Sequence, residues 1–223
     1  MSELLEKIIL CIENGKVNKD APYPPQMKGQ DGADELTKQA LEAGIKPDTI
    51  LKEALVVGMD KVGQKFSEKK IFIPQMLMAA KAMNAAIEHL KPYFNSGEVK
   101  RKGKIIIATV QGDLHDIGKN LVKMAIEGSG WEVIDLGVDV KTEKIIEVLN
   151  QNPDALVGLS ALLTTTMQSM ENTVTALKQK YPQNRILIGG APVTDDFRQK
   201  IGADFYAPDP QGAVKYLNEV AVA

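Results

Sequence analysis

Residues 111–118, QGDLHDIG, place His115, one of the chain's two histidines, between Asp113 and Asp116. An imidazole set among carboxylates can act as a general base, ligate a metal, or hold a turn together through hydrogen bonds. Asp113, two residues before the ring, can take one ring N–H, which fixes the tautomer and makes the other nitrogen a better electron donor. Asp116 precedes Ile117 and Gly118, where its carboxylate can accept from the free N–H groups of a helix that opens there. On spacing alone, His115 reads equally as a ligand and as a hydrogen-bonded loop histidine. The run has neither G-x-G-x-x-G nor a P-loop lysine followed by serine or threonine, so a dinucleotide or triphosphate is poorly supported. A phosphorelay receiver would want an acidic pair at this strand end and a lysine at the fifth, where FYAPDP at 205–210 has none. No second histidine or cysteine stands near enough for zinc. One imidazole alone makes a poor metal site, but it suffices for a metal already held by a macrocycle.

The elements that must position this loop change character near residue 95. Up to there, apolar residues recur at helical spacing over 4–13, 33–43, 47–66 and 74–93, which predicts a small four-helix bundle over 1–95. In the last helix Met76, Ala80, Met83, Ile87 and Leu90 make one stripe, with Pro74 in the first turn. Prolines and glycines at 18–32 mark an irregular loop. Residues 96–103, with the cluster VKRKGK at 99–104, read as a solvated linker. From 104 to 223 apolar, β-branched runs at 104–110, 131–137, 155–160, 185–190 and 203–208 alternate with helical segments near 117–128, 141–150, 167–180, 194–201 and 210–222. Runs that are apolar throughout indicate parallel strands buried on both faces. The predicted fold is therefore α/β, a helical bundle followed by a five-stranded, parallel, doubly wound, Rossmann-like domain. Such sheets bind ligands outside the carboxyl ends of their strands, where QGDLHDIG, SALLTTTM, GGAP and APDP all fall.

Composition narrows the classes further. With 223 residues, 44% hydrophobic and 25% charged, the chain can bury a core in each of two domains. A formal net charge of −2 supplies no basic field for nucleic acid or anionic membrane. The single cysteine, Cys11, cannot form an internal disulfide, and among Ile8, Ile9 and Ile12 it reads as a packing residue. Glutamates interrupt the N-terminal apolar run, so neither a signal peptide nor a membrane span is read, and a cytoplasmic protein is expected. His89 matches no motif and reads as a surface or interface residue, and Trp131 reads as packing at the start of the second strand.

The pattern DLHDIG at 113–118, then 41 residues, SAL at 160–162, then 26 residues, and GG at 189–190 resembles the cobalamin-binding signature of methionine synthase and of the corrinoid methyl-carrier proteins of methyltransferase systems. Residues 62–83, VGQKFSEKKIFIPQMLMAAKAM, resemble the helical cap that precedes this module in the same families. The resemblance implies cobalamin, with methylcobalamin or a related corrinoid as the methyl-bearing form, and makes His115 the lower axial ligand of cobalt in place of dimethylbenzimidazole. Asp113 would bond the far side of its ring, and Thr166, six residues after Ser160, would supply the relay hydroxyl that is a serine in methionine synthase. The remainder of the loop, Gly112, Leu114, Asp116, Ile117 and Gly118, belongs to the same binding motif. Ser160, Leu162 and Thr164 would line a slot for the displaced nucleotide tail, while Gly189 and Gly190 let that tail pass close to backbone. Outside the resemblance, the glycine pair reads as a strand-end turn, and Ser160 and the threonines read as capping residues. Phe66 and Ile73 correspond to apolar cap residues over the methyl-bearing face, a role compatible with bundle core.

The implied activity is methyl shuttling. A Co(I) corrinoid takes a methyl group from an activated donor and gives it to a second acceptor, while the Asp113–His115–Thr166 relay couples its protonation to the cobalt state. The implied partners are a donor-specific methyltransferase, a corrinoid:folate or corrinoid:thiol methyltransferase, and a reductive activase, with a hinge at 95–103 opening the cap. A cobalamin-based sensor, a subunit of an adenosylcobalamin mutase, and the cobalamin module of a split methionine synthase are the competing expectations.

Overall fold

Leu5, Ile8, Ile9 and Ile12 recur every three or four residues and become the buried face of α1 (Glu3–Asn14), none more than 5% exposed. Each such side chain contributes about 1.5–3 kcal/mol on burial. The computed structural model describes residues 2–222 and divides into two units. Unit 1 runs up to Arg101 and includes Gly128–Gly130, and unit 2 comprises Lys102–Glu127 and the chain from Trp131 onward. In unit 1, α2 (Ala33–Glu42) buries Leu36 and Ala40, and α5 (Ile73–Asn95) buries Met76, Ala80, Met83 and Leu90. Between them α3 (Pro47–Ile50), a π-helical turn (Leu51–Leu55) and α4 (Val56–Ser67) join into one rod. α1 lies against α2, α4 and α5.

Several details of unit 1 depart from the reading of the sequence. The π-turn interrupts the expected regular helix at 47–66, a shift in backbone pairing that leaves the apolar spacing intact. Ala86 takes the fully buried position of the α5 stripe while Ile87 is half-buried. The irregular loop at 18–32 contains a 3₁₀ turn (Pro25–Met27) and covers the fully buried Lys16, whose ammonium donates to Ala21 O at 2.9 Å and Lys19 O at 3.4 Å. The segment read as a solvated linker is anchored. Val99 is 3% exposed with its N–H on Tyr93 O, and the Arg101 guanidinium lies 4.4 Å over the Phe94 ring. Cys11 is buried, and that burial pushes its thiol up to about 11, which suits a packing residue. His89 Nε2 meets Asp34 Oδ1 at 2.5 Å and so joins α5 to α2.

Unit 2 alternates β1 (Lys104–Thr109), α6 (Ile117–Gly128), β2 (Glu132–Asp135), α7 (Thr142–Gln151), β3 (Leu156–Ser160), α8 (Met167–Lys180), β4 (Ile186–Gly189), α9 (Asp195–Ile201), β5 (Phe205–Ala207) and α10 (Pro210–Val222). The five strands are all parallel in the order β2-β1-β3-β4-β5. From β1 the chain steps to β2 on one side and then returns across β1 to β3. Right-handed crossovers therefore place helices on both faces. One face joins Ile106, Ala108, Val157, Leu159, Ile186 and Ile188 to Ile145 and Leu149 of α7, Met170 and Val174 of α8, and Ile201 of α9. The central strands β1, β3 and β4 are almost wholly buried, as uniformly apolar runs predict. The outer strands differ, for β2 is half-exposed throughout and β5 over two of its three residues, because each is paired along only one edge. Trp131, 1% exposed, packs beneath Gly103, and its indole N–H donates to Asn218 Oδ1 at 3.3 Å.

Two contacts hold the strand ends that matter below. Lys119, 5% exposed in the first turn of α6, places its ammonium 2.7 Å from Asp135 Oδ1 and so ties the exit of the first loop to the end of β2. At the other side, Gly190 follows β4 at φ +130°, and a Cβ there would overlap the Ala161 carbonyl oxygen. A Cβ on Gly189 would instead stand 3.2 Å from Ala207 O, a contact that small shifts relieve. Gly190→Ala is therefore expected to cost about 2–4 kcal/mol and Gly189→Ala under about 1 kcal/mol. Urea unfolding followed by the fluorescence of Trp131 measures both, and equal losses would contradict the packing described.

Candidate functional site

The open sheet determines where the site lies. Loops leaving β1 and β3 diverge because α6 and α8 cover opposite faces, and a crevice opens at the carboxyl ends of these two neighbouring strands. The first loop begins at Val110, whose N–H donates to Ser160 O at 3.0 Å and which bridges Val140. Gly112 takes φ +85°, and Asp113 N–H closes the turn onto Val110 O at 3.1 Å. Thr109, fully buried, donates its hydroxyl to His115 O at 2.9 Å and fixes the far end of the loop.

Asp113 is itself fully buried and gathers donors from both loops. Its Oδ1 accepts the His115 backbone N–H at 3.0 Å and lies 2.8 Å from the His115 ring Nδ1. Its Oδ2 accepts Leu162 N–H at 2.7 Å, Leu163 N–H at 3.3 Å and the Thr166 hydroxyl at 2.7 Å. Burial alone would raise the pKa of such a carboxyl. The Leu162 N–H, the Thr166 hydroxyl, and the His115 N–H and ring overcome it and hold Asp113 well below the usual carboxylate range. An ionised carboxylate only accepts, so the neutral ring carries its proton on Nδ1 and its lone pair on Nε2.

The rest of His115 turns outward. Its side chain is 49% exposed, and Nε2 has no hydrogen-bond partner among the described residues. Around it lie Leu114, 72% exposed, Ile117, 67%, Leu162, 43%, Leu163, 41%, and Val138, 36%. Among the described residues these are all the exposed large apolar side chains of unit 2. An apolar collar concentrated around one free imidazole nitrogen marks a ligand surface. The half-buried Ser160 hydroxyl at the end of β3 has no protein partner among the described residues. No group of three or more His, Cys, Asp or Glu there could hold a bare metal ion. These features suit a flat apolar macrocycle that brings its own metal.

Most residues singled out in the sequence converge here. Gly112, Asp113, Leu114, His115, Ile117 and Gly118 share the first loop and the start of α6, while Ser160, Leu162, Thr164 and Thr166 share the second. Thr166 lies in the hydrogen-bonded chain, and the methyl that distinguishes it from serine rests 3.7 Å from where a Cβ on Gly112 would stand. Asp116 departs from expectation, since its carboxylate accepts the Asn120 side-chain amide at 3.0 Å rather than a backbone N–H of the first turn. Gly190 is required by the chain's own Ala161 carbonyl, whatever passes outside it. Phe66 lies near the end of α4 and Ile73 opens α5 in unit 1, where Phe66 is half-buried and Ile73 is 40% exposed. Three contributors escaped the reading of the sequence, the backbone donors of Leu162 and Leu163 and the side chain of Asp139. Backbone donors leave no mark in residue types, whereas an aspartate next to a glycine-containing strand end, LGVD, was a signal for a left-handed turn.

Comparison with known proteins identifies the family and the cofactor. Residues 103–215 and residues 30–91 each match a family model described as a B12 binding domain. The chain is 36% identical over 225 residues to dimethylamine corrinoid protein 1 of Methanosarcina mazei, an alignment covering 100% of this chain and 96% of that one. The methanol:cobalamin methyltransferase complex MtaBC from Methanosarcina barkeri contains a similar structure at 30% identity and a TM-score of 0.83, covering 100% of this chain and 81% of that chain. A cobalamin-binding protein from Desulfitobacterium hafniense is similar at 32% identity and a TM-score of 0.72, covering 96% of this chain and 97% of that one. Among the described residues no helix is long and apolar enough to cross a membrane. With a family model over the second half and full-length relatives at this identity, the chain belongs to the B12-binding corrinoid proteins, and cobalamin is its cofactor.

Proposed function

We propose that this corrinoid protein carries a methyl group from a donor-specific methyltransferase to a second methyltransferase that acts on a folate or thiol, with a reductive activase restoring its cofactor. The observation that carries this reading is His115, tied through Nδ1 to Asp113 and bare at Nε2 amid five exposed apolar residues. When bound, the corrinoid supplies a cobalt that accepts and releases the methyl group. The protein contributes position and proton control. Asp113 orients the imidazole and would keep Nε2 available to hold the cobalt. Leu114, Ile117, Leu162 and Leu163 offer the apolar surface on which the ring can lie, and the Ser160 hydroxyl offers a polar contact beside it. Thr166 has one hydroxyl hydrogen and two acceptors in reach, Asp113 Oδ2 at 2.7 Å and Leu163 O at 2.9 Å. It can serve the carboxylate while Asp113 is charged and turn to Leu163 when Asp113 takes a proton. The covering role for Phe66 and Ile73 asks for apolar side chains outside the bundle core, and Ile73 meets that condition more fully than Phe66. The relatives bear the names of dimethylamine and methanol systems, so the donor class is a small methylated amine or alcohol.

Absorption spectra of the protein loaded with hydroxocobalamin are expected to show histidine ligation in the wild type and its loss in His115→Ala. Identical spectra would remove His115 as the ligand. Reduced holoprotein mixed with dimethylamine or methanol alone is expected to remain unmethylated, and to be charged once the matching methyltransferase is added. Charging without any partner would make this chain the enzyme.

The lowered pKa of Asp113 has a pH signature in the apoprotein. A carboxyl held below its unfolded value of about 3.9 stabilises the fold above that value and loses its contribution as pH falls through it. The gap in unfolding free energy between wild type and Asp113→Asn is therefore expected to be steady from about pH 7 to about pH 5 and to shrink below about pH 4. Unfolding titrations across that range measure it, and a gap that widened in acid would reverse the sign assigned to Asp113.

A further inference from the structure

Asp139, in the connection after β2, lies outside the cobalamin motif yet is joined to the histidine loop at two points. Its Oδ1 accepts the Gly112 N–H at 2.7 Å, and its own N–H donates to Asp113 O at 2.9 Å. To make both contacts it adopts φ +52°, and beyond glycine the only other described residue with positive φ is Lys69, in unit 1. Aspartate is among the few side chains that enter this region readily. The neighbouring Val140 is held at the same level by its N–H on Thr109 O at 3.0 Å and by its bridge to Val110. Asp113 is thus gripped from opposite sides, through its carboxylate by the loop after β3 and through its backbone by Asp139.

We infer that Asp139 is a positioning residue that sets the height and tilt of His115 toward cobalt. The inference rests on the reading of His115 as the axial ligand. The Gly112–Asp113 segment has no side chain at Gly112 with which to hold itself, so an external acceptor is what orients that peptide. Removing the acceptor frees the Gly112 N–H and lets the Asp113 backbone rotate. The ring moves with it, because ring and backbone of His115 share Asp113 Oδ1. The hydrogen bonds of Asp139 go to Gly112 and Asp113 and not to the ring, so it acts on His115 through the loop.

The test compares Asp139→Gly, which keeps the backbone conformation and loses the acceptor, with Asp139→Asn, which keeps both. Each protein is loaded with cob(II)alamin, and isotope-labelled imidazole is titrated in. Electron paramagnetic resonance then distinguishes the protein's nitrogen from the added one by its splitting. Asp139→Gly is expected to yield its histidine at about tenfold lower imidazole than wild type, the effect of losing one charge-assisted hydrogen bond, with Asp139→Asn close to wild type. An unchanged Asp139→Gly midpoint would overturn the inference, as would an equal shift in both variants, which would point to charge rather than to the acceptor. Wild-type protein with no histidine splitting at all would overturn the ligand reading and this inference together, whereas the other two outcomes leave the ligand reading in place.

Discussion

The Asp113 carboxylate is completely removed from solvent and must remain charged, a combination that is costly unless its lone pairs are filled. Five donors fill them, two from its own loop and three from the loop after β3. The carboxylate therefore does two things with the same atoms. It welds two loops that leave the sheet in different directions, and it dictates which nitrogen of His115 keeps its lone pair. Exposing Asp113 or neutralising it would loosen both at once, and the histidine would become an ordinary surface residue.

That arrangement depends on the sheet order. Because β1 and β3 are adjacent while their helices cover opposite faces, the two loops part and leave room above the strand ends without breaking any strand pairing. Gly190 lets β4 press against the end of β3, which holds Ala161 and the following Leu162 and Leu163 donors at the height of Asp113. On the other flank the pairing of the buried Lys119 with Asp135 fixes the start of α6, and Asp139 fixes Gly112. The apolar collar is the counterpart of this rigidity. Leu114 and Ile117 remain exposed on the loop that this framework holds in place.

Much of this was legible in the sequence, for definite reasons. The helices of unit 1 follow from apolar spacing, and the three central strands from runs of Ile, Leu and Val without polar alternation. His115, Asp113 and Thr166 could be brought together only by the long spacing between motifs, since 53 positions separate Asp113 from Thr166. Other features had no trace in residue types. The π-turn at Leu51–Leu55 changes which carbonyl each N–H meets without moving the apolar face. The edge exposure of β2 depends on strand order, which local pattern does not encode. Asp116 satisfied the rule for a helix cap and yet bonds Asn120, because a side-chain amide four residues on competes for the same carboxylate. The grip of Leu162 and Leu163 on Asp113 is made by backbone, and any residue but proline would have supplied it.

The tautomer of His115 is the point on which the ligand, the relay and the role of the collar all rest. Ring-nitrogen chemical shifts of His115, measured by NMR on the cofactor-free protein at neutral pH, observe it directly. The geometry requires a protonated, hydrogen-bonded Nδ1 and a bare Nε2 of pyridine type. A ring protonated on Nε2 with Nδ1 bare, or one averaging between the two forms as a free imidazole does, would contradict the assignment of Asp113 as the group that makes His115 a ligand.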